Sequence, residues 1–266
     1  MGIFIGTSTE NQKEISIGAS QIGEVYVGSD LVWKKGGGEI VYDPPAWLYY
    51  EGQTGLDIYG MDLLPYGKFT GNGNYPETGT VSYSGGIDTS TNDATALVVR
   101  NATDNLAGLS IFTSESNRPT STGYPVRAVR NIVPEDGGYV LGKSIANAYT
   151  DIDGTTYDGV MLVNRVWTKP PIRTTRFSDG TPIPEDNSTF ITRLEAKRHY
   201  RSFPSGYSVM YYNGMGITGN RGLKTLVSSG TLGWRVPTRA DIQSLINSSF
   251  TQGKAYNMKS IRINQE

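Results

Sequence analysis

Asp151, Asp153 and Asp158 have the residue types and part of the spacing of a calcium-binding loop. Such a loop needs a fuller run of oxygen ligands and a distal bidentate Glu. Neither follows here, and Asp153-Gly154 is instead the signal of a hairpin turn. Asp57, Asp62 and Glu77 supply carboxylates for glycoside chemistry. Nothing in the sequence sets two of them at a working separation, so they read as solvated loop charge. Gly71-Asn-Gly-Asn lacks the Lys-Ser/Thr step and the following helix of a phosphate loop. His199 is the single histidine, which excludes a multi-His metal site. It lies in the charged run Lys197-Arg-His-Tyr-Arg201 and reads as a surface residue. The absence of Cys removes thiolate metal sites, disulfides and Cys nucleophiles together. The expectation is a protein with no metal, no cofactor and no catalytic residues. What remains is recognition: Tyr75 and Tyr83 among Ser, Asn and Gly have the composition of adaptable binding loops, rigid contact area beside flexible hydrogen bonding.

The elements that position such loops are mostly strands. Near the C-terminal end, Ser229-Gly-Thr-Leu-Gly-Trp-Arg-Val-Pro-Thr-Arg-Ala-Asp reads as a glycine turn, a short buried strand and a helix start. Thr238 is a good N-cap and Asp241 completes a capping box. Ile242, Leu245, Ile246 and Phe250 then form one apolar helical stripe. With Trp234, this unit is the expected core nucleus. Residues 1–35 stand apart as a small β-hairpin piece, with Ile15-Ser-Ile17, Glu24-Val-Tyr-Val27 and Leu31-Val-Trp33 as strands. It is too small for independent stability, so it requires a partner surface or further copies of itself. Residues 36–44 form a Gly-rich linker, and 45–266 a single domain. Within it, Ala94–Arg100 and Gly108–Phe112 read as strands. Gly123-Tyr-Pro-Val-Arg-Ala-Val-Arg130 reads as an edge or starting strand because of its Pro. Val160–Trp167 reads as one continuous strand, residues 190–202 as a helix, and Tyr207–Tyr212 as a strand. Leu223, Leu226 and Val227 suggest a short helical turn.

A net charge of −1, from 24 basic and 25 acidic residues, leaves no electrostatic footprint for nucleic acid or an anionic membrane. No apolar run approaches a membrane span, and Met1-Gly-Ile-Phe-Ile-Gly lacks the basic start of a signal peptide. With 33 Gly, 13 Pro and 17 Tyr, the composition favours strands, turns and long loops.

Asp151-Ile-Asp-Gly-Thr-Thr-Tyr157, Val166-Trp167, Thr174-Thr-Arg-Phe-Ser-Asp-Gly-Thr-Pro-Ile-Pro184 and Gly233-Trp-Arg-Val-Pro-Thr-Arg-Ala-Asp-Ile-Gln-Ser-Leu245 resemble, in this order, the first half of the Fibrobacter succinogenes major paralogous domain. That family belongs to the C-type lectin-like fold, in the branch of the formylglycine-generating enzymes. Gly55-Leu-Asp-Ile-Tyr-Gly-Met-Asp-Leu-Leu-Pro-Tyr-Gly67 and Gly123–Arg130 resemble its second half, with Ala128 where the family often has Cys. The halves stand in reversed order, which implies an α+β, circularly permuted C-type lectin-like domain; a domain swap is the rival geometry. Tyr256-Asn-Met-Lys-Ser260 resembles the family segment that would run into Gly52-Gln-Thr-Gly55. The resemblance places Trp167, Trp234, Thr238 and Leu245 in the shared core. The enzyme branch works through cysteines, which this chain lacks, and the calcium–sugar motifs of animal lectins are missing too. In related proteins the loops before the terminal strand carry ligand contacts. Carried over, these are Tyr83, Asp88, Asn92, Ser114, Glu115, Asn117 and Arg118.

Ile22-Gly-Glu-Val-Tyr-Val-Gly-Ser-Asp-Leu-Val-Trp-Lys34 resembles a segment common near the N-termini of phage virion proteins. The combined expectation is a phage virion fibre or tail-associated adhesin, made in the host cytoplasm. Residues 1–35 would attach it to other virion proteins, and a homotrimer would let the short strands complete one another. The domain would bind a host surface glycan or protein. The alternative is a virion decoration or fibre-network subunit that binds no receptor. A carbohydrate-active enzyme ranks below both.

Overall fold

The computed structural model describes residues 15–17, 20–22, 24–27, 30–34, 61, 63, 64, 66–70, 81–91, 93–100, 109–113, 122–186, 195–203 and 208–248. Four short strands come first: β1 (Ile15–Ile17), β2 (Ser20–Ile22), β3 (Glu24–Val27) and β4 (Asp30–Lys34). They pair antiparallel as β1–β2 and β3–β4, the second with Val27 opposite Asp30. The linker 36–44, the segments 52–55 and 256–260 at the proposed permutation joint, Asp57, Asp62, Glu77 and Tyr75 lie outside the described residues.

The rest is an α+β arrangement of mostly antiparallel sheets with a few short helices. β5 (Val81–Asp88), β6 (Asp93–Arg100) and β7 (Leu109–Thr113) form a three-stranded meander. β8 (Val129–Asn131), β9 (Ser144–Thr150), β10 (Thr156–Leu162) and β11 (Arg165–Thr168) form a sheet in the order β8-β11-β10-β9. β12 (Arg198–Ser202) pairs with β13 (Ser208–Tyr212). The helices are α1 (Gly214–Ile217), α2 (Gly219–Gly222) and α3 (Arg239–Asn247). Among the described residues no helix is long and apolar enough to cross a membrane.

Strand alternation sorts the apolar side chains of β6 between two cores. Ala94, Ala96 and Val98 of β6 enter one cluster with Tyr124, Val126, Tyr157, Met161, Val166 and Trp234. Leu97 of the same strand enters the other, with Met61, Leu63, Val160, Leu162, Trp167, Ile242 and Leu245. Both clusters draw on the stretch before residue 131 and the stretch after 144. Trp167 and Leu245 are 1% and 0% exposed, and Trp234 is 4%. Trp234 packs 5.1 Å from the Tyr149 ring and carries the Arg130 guanidinium 5.2 Å over its face. Arg130 in turn forms a two-pronged pair with Asp136, both largely buried.

The stretch 123–130 departs from its sequence expectation. It is a fully buried seam, not an edge. Gly123 exchanges backbone bonds with Phe69, Tyr124 with Tyr212, and Val129 with Arg235. Pro125 fits inside because only its carbonyl is used, accepting from Gly85 at 2.7 Å; no N–H is demanded of it. Gly85 and Gly86 are required by the close approach here. A Cβ on Gly86 would lie 2.6 Å from the Pro237 carbonyl oxygen, and one on Gly85 2.8 Å from Ile217 Cδ1.

Four further expectations need correction. Residues 198–202 are a strand, not part of a helix: Arg198 is opposite Tyr212 and Ser202 opposite Ser208. The alternation of buried His199 with exposed Tyr200 is a period of two, which the density of charge disguises. His199 itself is 6% exposed and stacks on Phe69, ring centroids 3.8 Å apart. Residues 160–167 are not one strand but a hairpin, with Leu162 opposite Arg165 across the two-residue turn Val163-Asn164. Both turn residues have positive φ, +47° and +56°. That is the primed turn a twisted hairpin favours, but Val is among the poorest residues for it, so no turn signal was visible. The short helix expected near Leu223 falls on Gly219–Gly222; Leu226 and Val227 are buried beyond it, while Leu223 is exposed.

Candidate functional site

The residues carried over as ligand contacts trace back to the β5–β6–β7 meander. Its ladder sets Asp88 opposite Asp93 at the β5–β6 tip. It also sets Thr95 opposite both Gly86 and Thr113. The chain therefore leaves β7, toward residues 114–118, at the same end of the sheet as the tip. Tyr83 is elsewhere: it pairs with Val98, which pairs with Ser110. At about 3.4 Å per residue, it stands roughly 17 Å back along the strand from Asp88. Asn92, Ser114, Glu115, Asn117 and Arg118 lie outside the described residues.

Asp88 is brought to the tip but is buried, 5% exposed. One carboxylate oxygen accepts from the Ser90 N–H at 3.0 Å and the Ser90 hydroxyl at 2.6 Å. The other accepts from Arg239 Nη1 at 3.0 Å. The Ser90 hydroxyl first, then Arg239, hold the carboxyl below its ordinary range. Its oxygens are spent on shaping the turn, so its part is to rigidify the tip. Among the described residues, the tip offers Thr89, Ser90 and Thr91 to solvent, all exposed. They and Arg239 were not singled out from sequence. The signals were there: Asp88-Thr89-Ser90 is an Asx-turn pattern, and Arg239 at the first position of a helix, where the dipole disfavours a cation, demands an anion nearby.

The tip is seated on the start of α3. The Ile87 N–H donates to the Pro237 carbonyl at 2.8 Å, bonding the outer edge of β5 beside the helix cap. Thr238 caps α3 and Asp241 completes the capping box, as the sequence reads. Asp241 also pairs with Arg235 and Arg165. Burial pushes the Asp241 carboxyl up, but its bonds from Arg235 and Thr238 outweigh that and hold it at about 2.

The Asp151, Asp153 and Asp158 carboxylates are each committed to local structure. Asp151 accepts from the Asp153 and Thr155 N–H groups and, at 2.6 Å, from the Tyr157 hydroxyl. Burial first, and this acceptor second, raise the Tyr157 hydroxyl far above the ordinary tyrosine range. Asp153 accepts from Thr175 and from Arg176 Nε. Asp158 accepts from the Asn147 N–H at 2.9 Å, closing a bulge in β9. Among the described residues no group of three His, Cys, Asp or Glu side chains is placed to hold a metal. The described part of the tip offers hydroxyl and backbone hydrogen bonding around a neutralised ion pair. That chemistry suits recognition of a polar surface.

Compared with protein-family models, curated proteins and solved structures, the chain matches none.

Proposed function

We propose that the protein is a virion-borne adhesin, a fibre or tail-associated component of a phage, whose circularly permuted C-type lectin-like domain binds a polar host surface ligand, glycan or protein. The observation that carries this reading is the shared exit of the two loop stretches at one end of the meander, on a tip braced by Asp88 and Arg239. Rigid support under exposed hydroxyl-bearing residues lowers the entropic cost of binding. Individually modest contacts would be multiplied by copy number, which adds roughly a hundred- to ten-thousand-fold in avidity. The order of motifs from 151 to 245 supports the domain, and the segment 22–34 supports attachment through residues 1–35.

The test is binding of the full chain, displayed multivalently on beads, to host cells and to a glycan array. Wild type binds, and a Thr89→Ala, Ser90→Ala, Thr91→Ala triple variant with unchanged melting temperature binds less. No binding by wild type under multivalent display overturns the reading.

A second reading, a decoration or fibre-network subunit that only packs against neighbours, is favoured by a different observation. Tyr139, Val140 and Leu141 form a consecutive exposed apolar run, 43%, 54% and 36% accessible. Apolar exposure of this kind suits a subunit contact. Hydroxyl-radical footprinting of the assembled particle separates the two: protection of residues 139–141 with no binding by the tip favours the packing subunit.

A further inference from the structure

The single histidine of this chain is placed where a charge is least welcome. His199 is on β12, opposite Tyr211 of β13. Its ring lies flat on Phe69, 4° from parallel, and 6.4 Å from the Tyr211 ring. Phe69 and Tyr211 belong to the cluster of Leu64, Tyr66, Phe69, Phe203, Val209 and Tyr211, which fastens Leu64, Tyr66 and Phe69 to the β12–β13 pair. The same fastening includes the Tyr211 hydroxyl, which donates to the Tyr66 carbonyl at 2.9 Å. Phe69 in turn exchanges both backbone bonds with Gly123, the start of the buried seam.

We propose that His199 is an acid-sensitive clasp: neutral, it holds Phe69, with Leu64 and Tyr66, against the β12–β13 pair, and on protonation it loosens that contact. The charged groups around it do not cancel this. From the segment before β12, the Asp186 backbone bonds the imidazole, and Glu185 and Asp186 attract its cation. Glu185, however, is engaged by Arg198 at 2.7 Å. Arg201, on the same strand, repels the cation. From β13 the facing group is Tyr211, and from the stretch of Tyr66 to Phe69 it is the apolar Phe69, beside Lys68. The Phe69 face offers some cation–π attraction, but burial is the leading influence and lowers the His199 pKa from its ordinary value of 6.5.

The sign follows from linkage. The unfolded chain takes up this proton before the folded one, so the clasp's contribution is complete above pH 6.5 and is lost as pH falls through the lower folded value. Histidine is the one side chain that ordinarily titrates between pH 5 and 8, and the His199→Phe comparison removes the effect of the carboxylates that titrate below pH 5.

The test follows the lone imidazole of the full chain by NMR from pH 8 to pH 4.5, together with the Phe69 and Tyr211 ring signals. The expected result is a midpoint below 6.5, with both ring signals moving at that midpoint. Over the same range the wild-type melting temperature falls relative to that of His199→Phe, which keeps a ring in the stack and cannot titrate. A midpoint at or above 6.5, ring signals that ignore the titration, or a parallel fall in both proteins would overturn the proposal. Should His199→Phe not fold, the wild-type titration with its ring signals decides the matter alone.

Discussion

Replacing Asp241 with Asn keeps the shape of the side chain at the start of α3 and removes its charge. Asp241 is 5% exposed and serves Thr238, Arg235 and Arg165 at once. Its carboxyl is held at about 2 against an ordinary 3.8. At 1.36 kcal/mol per pKa unit, the charged form contributes about 2 kcal/mol at neutral pH. Breaking a fully buried pair costs more, about 3–5 kcal/mol. Arg235 and Arg165 are 38% and 36% exposed, so they recover water when the partner is lost, and the lower figure applies. The folded value lies below the unfolded one, so this contribution is present above pH 3.8 and disappears as pH falls toward 2. Urea unfolding followed by tryptophan fluorescence at pH 7, 3 and 2 measures it. Wild type should exceed Asp241→Asn by about 2 kcal/mol at pH 7, with an unchanged denaturant slope. The difference should shrink steadily to near zero at pH 2. A difference that persists undiminished at pH 2, or a loss under about 0.5 kcal/mol at pH 7, refutes the reasoning.

Other substitutions probe the remaining supports. Gly86→Ala drives a methyl group against the Pro237 carbonyl and Ile242, and should cost about 1–3 kcal/mol in urea unfolding. Val163→Asn relieves a β-branched residue at φ +47° and should raise stability by about 1 kcal/mol, read as a higher urea midpoint. Trp234→Ala empties the centre of the larger core and should cost about 3–5 kcal/mol, enough to lower the melting temperature by several degrees or more. Arg239→Ala frees Asp88 from its ion pair; hydrogen exchange at the Ser90 N–H should quicken while global stability changes by less than about 1 kcal/mol, because Arg239 is half exposed.

The strands with unbroken β-branched or alternating runs, β6 and β13 among them, were legible because their pattern is local. The cap of α3 was legible for the same reason: Thr238 and Asp241 satisfy each other within one turn. His199 and the strand around it were not. Lys197, Arg198 and Arg201 make the stretch look solvated, and Phe69, 130 positions away, stacks on the imidazole. The candidate ligand residues divided likewise. Asp88 was carried over from the family resemblance, but Arg239, 151 positions on, decides that its carboxylate is occupied.

The sequence by itself determined strands β6 and β13, the near-neutral and cysteine-free character that narrows the chemistry, and the unit built on Trp234 and Thr238. Tertiary structure alone decided which of those elements meet. Residues 123–130 became a buried seam because Phe69, Gly85, Tyr212 and Arg235 each supply a backbone partner from a distant part of the chain. Gly85 and Gly86 matter because Val126, Ile217 and Pro237 approach them so closely. Short-range propensity is written in neighbouring residues. The partner that satisfies a buried N–H, or the ring that covers a histidine, comes from folding the chain back on itself, and no local pattern names it.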